Sequence, residues 1–377
     1  MIVKICIKMN IYSLIGTPFF MVFNDYITFM NHVLVQNNIY KPVFFWLLLL
    51  TFMTFIMIII GGLTRLTDSG LSIVDWKPIM GAIPPLNKDS WLLAFNSYQN
   101  SPEFLIVNKN MTLEEFKYIF WWEWIHRFFA RCIGVVFILP TIYFAIAKKI
   151  SQSLLTNLLI LFLFGLFQAV VGWWMVMSGL NNDPYVSSYR LAFHLTNAVI
   201  ILSILFWLTL NSAENLNIKF FPHDIKQTYI FITIIFLLIT IISGAFMAGS
   251  NAGKSFNTYP LMNGKFFPDD YFFYNSAFKN FFENTIAINF NHRWIATISF
   301  LNIIFLTCYL RFAKKIYDKN FKISIIILFV FLQFILGLLT LLSNVKIYLA
   351  SMHQINSMLL LASLIYIYYS IKKERKN

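Results

Sequence analysis

Residues 123–130 read Glu-Trp-Ile-His-Arg-Phe-Phe-Ala, and residues 289–296 read Asn-Phe-Asn-His-Arg-Trp-Ile-Ala. The shared His-Arg and closing Ala recur at an offset of 166 residues, and two more pairs keep the same order. Gln168 is followed four residues on by Gly172, as Gln333 is by Gly337, at an offset of 165. His194-Leu-Thr-Asn197 is answered by His353-Gln-Ile-Asn356 at an offset of 159. Three markers in one order at nearly one spacing divide the chain into two related halves.

The sequence around these markers is apolar. Of 377 residues, 59% are hydrophobic and only 12% charged, half the share a soluble domain carries. A helix needs about 20 apolar residues to cross the hydrocarbon core. Eight stretches meet that length: 42–61, 127–147, 154–177, 190–210, 228–248, 292–312, 322–343 and 347–370. The reading is an all-α integral membrane protein, with eight transmembrane helices arranged as two pseudo-symmetric four-helix bundles. Four helices per half give both halves one orientation, so the pseudo-twofold axis runs along the membrane normal.

The segments between spans fix the orientation. With the N-terminus inside, the inner segments hold 16 of the 29 Lys and Arg but only five acids. Basic residues concentrate in cytoplasmic loops, so both termini are placed in the cytoplasm and the long loops 62–126 and 249–291 outside. The expected location is the bacterial inner membrane, spanned many times. The formal charge of +13 follows from the same rule, and nucleic acid is excluded as a partner because the basic residues sit in short clusters between apolar runs. Residues 1–41 read as a cytoplasmic or interfacial extension, with Met21 or Met30 as alternative starts. The three cysteines, Cys6, Cys132 and Cys308, form no CxxC and no even framework.

Chemistry points to the histidines. His126, His194, His292 and His353 all belong to the repeat and are placed at or near the outer start of an even-numbered helix, hence at one depth. A single such residue would suit an interfacial anchor. Four at one depth, paired by symmetry, mark a ligand site. Two neutral imidazoles on separate helices can face each other with an iron between them, and an apolar, aromatic bundle suits the flat ring of haem. Non-haem iron would want a carboxylate beside two histidines, and zinc three or four ligands. His32 and His223 stand outside this set.

Arg127 and Arg293 follow their histidines directly, and either pairing with haem propionates or anchoring at the headgroups suits them. Gln168 and Gln333 read as interhelical hydrogen-bonding amides, and Trp121, Trp122, Trp124, Trp173 and Trp174 as an interfacial belt. Glu123 lies three residues before His126 on the same helical face, whereas its counterpart is Asn289. One carboxylate between two similar pockets suggests one pocket for chemistry and one for electron storage. The alternative is a glutamate favoured by the macrodipole at a helix start.

With these residues the chain resembles the haem A synthase family of alphaproteobacteria and mitochondria over residues 42–370. The matching stretches are Gly61-Gly-Leu-Thr-Arg-Leu-Thr-Asp-Ser-Gly-Leu-Ser72, Trp76-Lys-Pro78, Glu123-x-x-His126-Arg127, Gln168 through Leu180, Asn257-Thr-Tyr-Pro-Leu-Met262 and Asn291-His-Arg293. The resemblance implies oxidation of the C8 methyl of haem o to a formyl group by successive hydroxylations, giving haem A for cytochrome c oxidase. It implies that His292 and His353 hold a resident haem b. His126 and His194 would then bracket the iron of the substrate haem o, with Arg127 at the substrate and Glu123 as the carboxylate of turnover. Some bacterial relatives carry a cysteine pair in the first outer loop, and 62–126 contains none.

On this reading, 42–210 is the substrate half and 228–370 the haem b half. Residues 211–227 are the inner connection and 371–377 a basic cytoplasmic tail. Expected partners are haem o synthase (the protohaem farnesyltransferase) and the assembly of cytochrome c oxidase. The membrane electron acceptor is unidentified and a homo-oligomer is left open. The competing classes are a di-haem b electron-transfer protein and a membrane transporter, the latter disfavoured because these ligands lie near one surface rather than at the midplane.

Overall fold

The computed structural model describes residues 41–75, 80–181, 183–312 and 320–376. The extension before residue 41, the Trp76-Lys-Pro78 stretch and the basic cluster at 313–319 lie outside the described residues. Among the described residues, eight helices are long and apolar enough to cross a membrane. The first half contains α1 (Lys41–Leu66), the outer helices α2 (Lys88–Gln99) and α3 (Pro102–Ile106), then α4 (Leu113–Ile146), α5 (Gln152–Gly179) and α6 (Ser188–Ala213). The second contains α7 (Ile225–Gly249), the outer helix α8 (Ala277–Phe282), then α9 (Thr285–Phe312), α10 (Asn320–Leu342) and α11 (Ile347–Lys376). No strand occurs among the described residues.

Neighbour relations repeat between the halves. In the first, α1 packs on α4 and α6, and α5 on α4 and α6. In the second, α7 packs on α9 and α11, and α10 on α9 and α11. The halves meet where α6 lies on α7, α11 on α1, and α6 on α11. Exchanging the halves maps each of these contacts onto another or onto itself, as a twofold axis between α6 and α11 requires. The main apolar core fills this seam at the end away from the histidines, around Trp207, Ile230, Ile303, Leu364 and Tyr368.

With α9 beginning seven residues early and α11 ending six residues late, the observed spans contain the apolar runs to within about two turns, apart from the start of α4. That helix starts at Leu113, not near 127. Thr112 caps it, accepting from Glu115 N at 3.3 Å while Glu115 Oε2 accepts from Thr112 N at 2.8 Å. Its first turns carry Glu114, Glu115 and Lys117 and so lack a lipid-like pattern. They are helical because Phe116, Ile119 and Phe120 bury themselves against Phe95 and Tyr98 of α2. His126 therefore lies thirteen residues inside its helix, whereas His194, His292 and His353 lie six or seven residues from their helix starts. The extra six residues lengthen the N-terminal end of α4 by about 9 Å. At the other end α11 runs on to Lys376, and the Lys372 side chain is buried and donates to the Phe221 carbonyl of the inner connection.

Candidate functional site

Each histidine of the repeat packs against a glycine of the preceding spanning helix. A Cβ on Gly61 of α1 would stand 3.3 Å from His126 Nε2, and one on Gly172 of α5 would stand 2.9 Å from His194 Cε1. In the second half a Cβ on Gly244 of α7 would come within 3.3 Å of His292 Cε1, and one on Gly337 of α10 within 2.9 Å of His353 Cε1. Any side chain at these four positions would press on the ring. All four histidines are half-buried among the spanning helices. His126 and His194 lie within electrostatic reach of each other, as do His292 and His353. The histidines thus form two pairs, one in each half.

The glutamines and asparagines of the repeat brace two of the rings. Gln168 Nε2 lies 3.3 Å from His194 Nε2 and donates to the His194 carbonyl at 3.2 Å, while its Oε1 accepts from Asn197 Nδ2 at 2.7 Å. Gln333 Nε2 lies 3.2 Å from His353 Nδ1, and its Oε1 accepts from Asn356 Nδ2, also at 2.7 Å. His292 is braced differently, with Nδ1 2.7 Å from Ser243 Oγ. Gln354, beside His353, reaches across the seam over Gly62 and donates to the Ile58 carbonyl at 3.0 Å, joining α11 to α1 between the two pairs.

Glu123 is buried, 3% exposed, and fully engaged. Its Oε2 accepts from Ser72 Oγ at 2.7 Å and from the Ile73 backbone N–H at 2.8 Å, and its Oε1 accepts from Arg127 at 2.6 Å. Three donors and no acceptor suit a carboxylate. Ten residues from the start of α4, it is beyond the first turn, where the macrodipole acts. Asn289, wholly buried, holds the matching place. Its Oδ1 accepts from Arg293 Nε at 2.6 Å, and its Nδ2 donates to the Ala252 carbonyl at 2.7 Å. The Glu/Asn difference follows from what each outer loop presents, hydroxyl and N–H donors in one half and a carbonyl in the other. It therefore does not by itself assign chemistry to one pocket.

The arginines are committed to the loops as well. Arg127 donates to the Ile73 carbonyl at 3.0 Å, and Arg293 to the Phe256 and Thr258 carbonyls, both at 2.8 Å. Asn257 completes the second anchor by donating to Leu341 O at 2.7 Å. Residues 72–73 and 256–258 are thus pinned to α4 and α9 through the side chains that flank His126 and His292.

These residues fit haem. Among the described residues no three His, Cys, Asp or Glu side chains converge as a metal-ligand set, so a metal at either pair draws only two imidazoles from the protein. Buried His194 Nδ1 has no hydrogen-bond partner, and the glycines leave the rings unobstructed on their own side. Two axial imidazoles with the remaining ligands supplied by a macrocycle is the coordination that donor set allows. Neither Cys132 nor Cys308 forms a disulfide among the described residues.

The family model for cytochrome oxidase assembly protein, COX15-CtaA, matches residues 44–365. The chain belongs to the COX15-CtaA family. Among its relatives in that family, the heme A synthase of Wolbachia pipientis wMel is 40% identical over 346 residues, covering 89% of this chain and 94% of that protein. The heme A synthase of Nitrosomonas eutropha is 38% identical over 337 residues, covering 88% and 94%. That of Parvibaculum lavamentivorans is 42% identical over 259 residues, covering 69% and 75%.

Several residues of this COX15-CtaA site are not singled out by the sequence reading: Ser72, Ile73, Ser243, Gln354 and Glu103. Ser243 interrupts an apolar run, a signal that was available. Glu103 of α3 is 6% exposed and accepts a hydrogen bond from buried Tyr98 at 3.0 Å, and Asn108 Nδ2 donates to the same phenol oxygen at 2.8 Å. Burial pushes the Glu103 carboxyl up to about 7; the Tyr98 hydrogen bond opposes this, Glu123 and Asp68 add to it, and Arg65 reduces it. Because this lies above the ordinary 4.5, the folded loop binds the proton more tightly than the unfolded chain does. Its contribution is full below about 4.5 and is lost as pH rises through about 7, by about 3 kcal/mol at most. Protease cleavage within residues 88–108 of the purified protein should rise between pH 5 and 8. Glu103→Gln, neutral and of the same size, should flatten that dependence, and an unchanged slope would contradict the assignment.

Proposed function

We propose that this chain is a haem A synthase, an oxidoreductase that converts the C8 methyl group of haem o to a formyl group, giving haem A for cytochrome c oxidase. The observation that carries the reading is the presence of two separate histidine pairs, each seated on glycines under a strapped loop, in a chain whose relatives bear that name. Residues 228–370 form the half that holds a resident haem b through His292 and His353. Residues 42–210 form the half in which His126 and His194 take the iron of the substrate haem o. A haem bound at the resident pair supplies one-electron redox chemistry. Methyl to formyl is a four-electron oxidation; with water as the oxygen source, R–CH3 and H2O give R–CHO with four electrons and four protons, and the electrons would pass to a membrane acceptor.

The protein's own groups do the positioning. The strap from Ser69 to Ile73, pinned by Glu123 and Arg127, closes the outer side of the first pair and limits water there. Glu123 is the carboxylate assigned to turnover. To accept a proton at Oε2 it releases Ser72 or the Ile73 N–H, while Oε1 stays on Arg127. Arg127 sits at the substrate side of the same strap. The similar Gln–Asn braces in the two halves also suit a di-haem b electron carrier. Extraction of pigment from membranes that also contain haem o synthase separates the two, since only the enzyme yields haem A. Haem o synthase is the partner this reading implies as donor, and the oxidase under assembly as recipient. The inner membrane is the compartment, with both termini and the basic end 371–377 cytoplasmic.

Three outcomes follow from these assignments. His292→Ala or His353→Ala should strip most b-type absorbance from purified protein, whereas His126→Ala or His194→Ala should keep it and abolish haem A formation. Equal loss from all four variants would mean the halves are not specialised. Glu123→Gln turns an NH2 toward donors, at a cost of about 1–3 kcal/mol, and removes proton exchange, which is typically worth about 10²–10⁴-fold in rate. It should retain the resident haem and accumulate haem o or a hydroxylated product; haem A at a near-normal rate would refute the role. For orientation, cysteines placed at exposed Asn100 and Ser276 should react with an impermeant thiol reagent in spheroplasts, and one at exposed Lys219 should not. The reverse pattern would invert the topology.

A further inference from the structure

We infer that Ser243 makes His292 a fixed ligand, and that Ile60 at the matching place leaves His126 a releasable one. The inference rests on the proposal that the second half holds a resident haem and the first half a substrate that must leave. The two glycines set the register. Gly61 faces His126 as Gly244 faces His292, each with 3.3 Å between a hypothetical Cβ and the ring. The residue before Gly244 is Ser243, and the residue before Gly61 is Ile60.

The hydrogen bonds of Ser243 determine which tautomer His292 adopts. Ser243 Oγ lies 2.7 Å from the Thr240 carbonyl oxygen, which can only accept, so the hydroxyl proton is used there. The second contact of the same oxygen, 2.7 Å from His292 Nδ1, then has the ring N–H as donor. Nδ1 carries the proton, and the lone pair of Nε2 is left for a metal. An acceptor on the far nitrogen also holds the ring against rotation and increases its basicity as a ligand, which favours ferric over ferrous iron.

His126 has none of this. Its ring makes no hydrogen bond among the described residues, and an isoleucine side chain offers no acceptor. The other member of each pair has a Gln–Asn brace in both halves, with Gln168 Nε2 3.3 Å from His194 Nε2 and Gln333 Nε2 3.2 Å from His353 Nδ1. Between His292 and His126 the difference is Ser243 against Ile60. Ser243 is a positioning residue acting through His292.

The test uses the full-length protein purified with its resident haem, with two readouts: the midpoint potential and the rate of haem transfer to excess apomyoglobin. Ser243→Ala should shift the ferric-to-ferrous affinity ratio about tenfold, raising the potential by about 59 mV for a one-electron couple, and should speed transfer about tenfold. Ser243→Thr, which keeps the hydroxyl, should restore both toward the original values. Ile60→Ser, loaded with haem o in detergent, should slow transfer from the first half about tenfold. Unchanged potential and transfer in Ser243→Ala with a bis-histidine spectrum intact would overturn the inference, as would unchanged haem o release from Ile60→Ser. A b-type spectrum that survives His292→Ala would instead refute the underlying assignment of the resident site.

Discussion

An imidazole ring projecting from one spanning helix needs room on the next, and in this protein the room is made by omitting a Cβ. Four glycines, on α1, α5, α7 and α10, stand opposite four histidines, on α4, α6, α9 and α11. Between close-packed helices a methyl group cannot be absorbed without moving a ring or a backbone. The rest of the arrangement depends on this constraint. It seats each ring on the preceding spanning helix, and it recurs in both halves.

Above the rings, polar side chains buried against the outer loops must find partners, because unpaired groups there are costly. Glu123 and Asn289 meet that demand in opposite ways. Where the loop turns hydroxyl and N–H donors inward, a carboxylate satisfies them and pairs with Arg127. Where it turns a carbonyl inward, an amide satisfies both that carbonyl and Arg293. The same position of the repeat thus diverged with the loop it holds. A difference in residue type that invites a catalytic interpretation is, at the level of contacts, a consequence of loop geometry. The reactive role proposed for Glu123 rests on its place beside His126.

The eight spans, the two halves and the four histidines were legible in the sequence, because lipid imposes long apolar runs and the repeat preserves its polar interruptions. The start of α4 was not legible. Residues 113–126 carry charge and are stabilised by packing on α2, which no local pattern reports. The Gly61 and Gly244 seats escaped notice for a related reason. They are 183 residues apart rather than 166, because the segment between each glycine and its histidine is 17 residues longer in the first half. A search keyed to one offset passes over them.

Membrane class, span number and the four repeated histidines were thus read from the sequence itself, through composition, spacing and internal repetition. Which nitrogen of His292 is free, what Glu123 and the two arginines hold, and how Gln354 ties the halves together were decided only in three dimensions. Helical periodicity tells which residues share a face of one helix. It cannot tell what the neighbouring helix or loop brings to that face. Hydrogen-bond partners such as Ser243 for His292 lie 49 residues away in the chain, and their pairing exists only once α7 and α9 are packed.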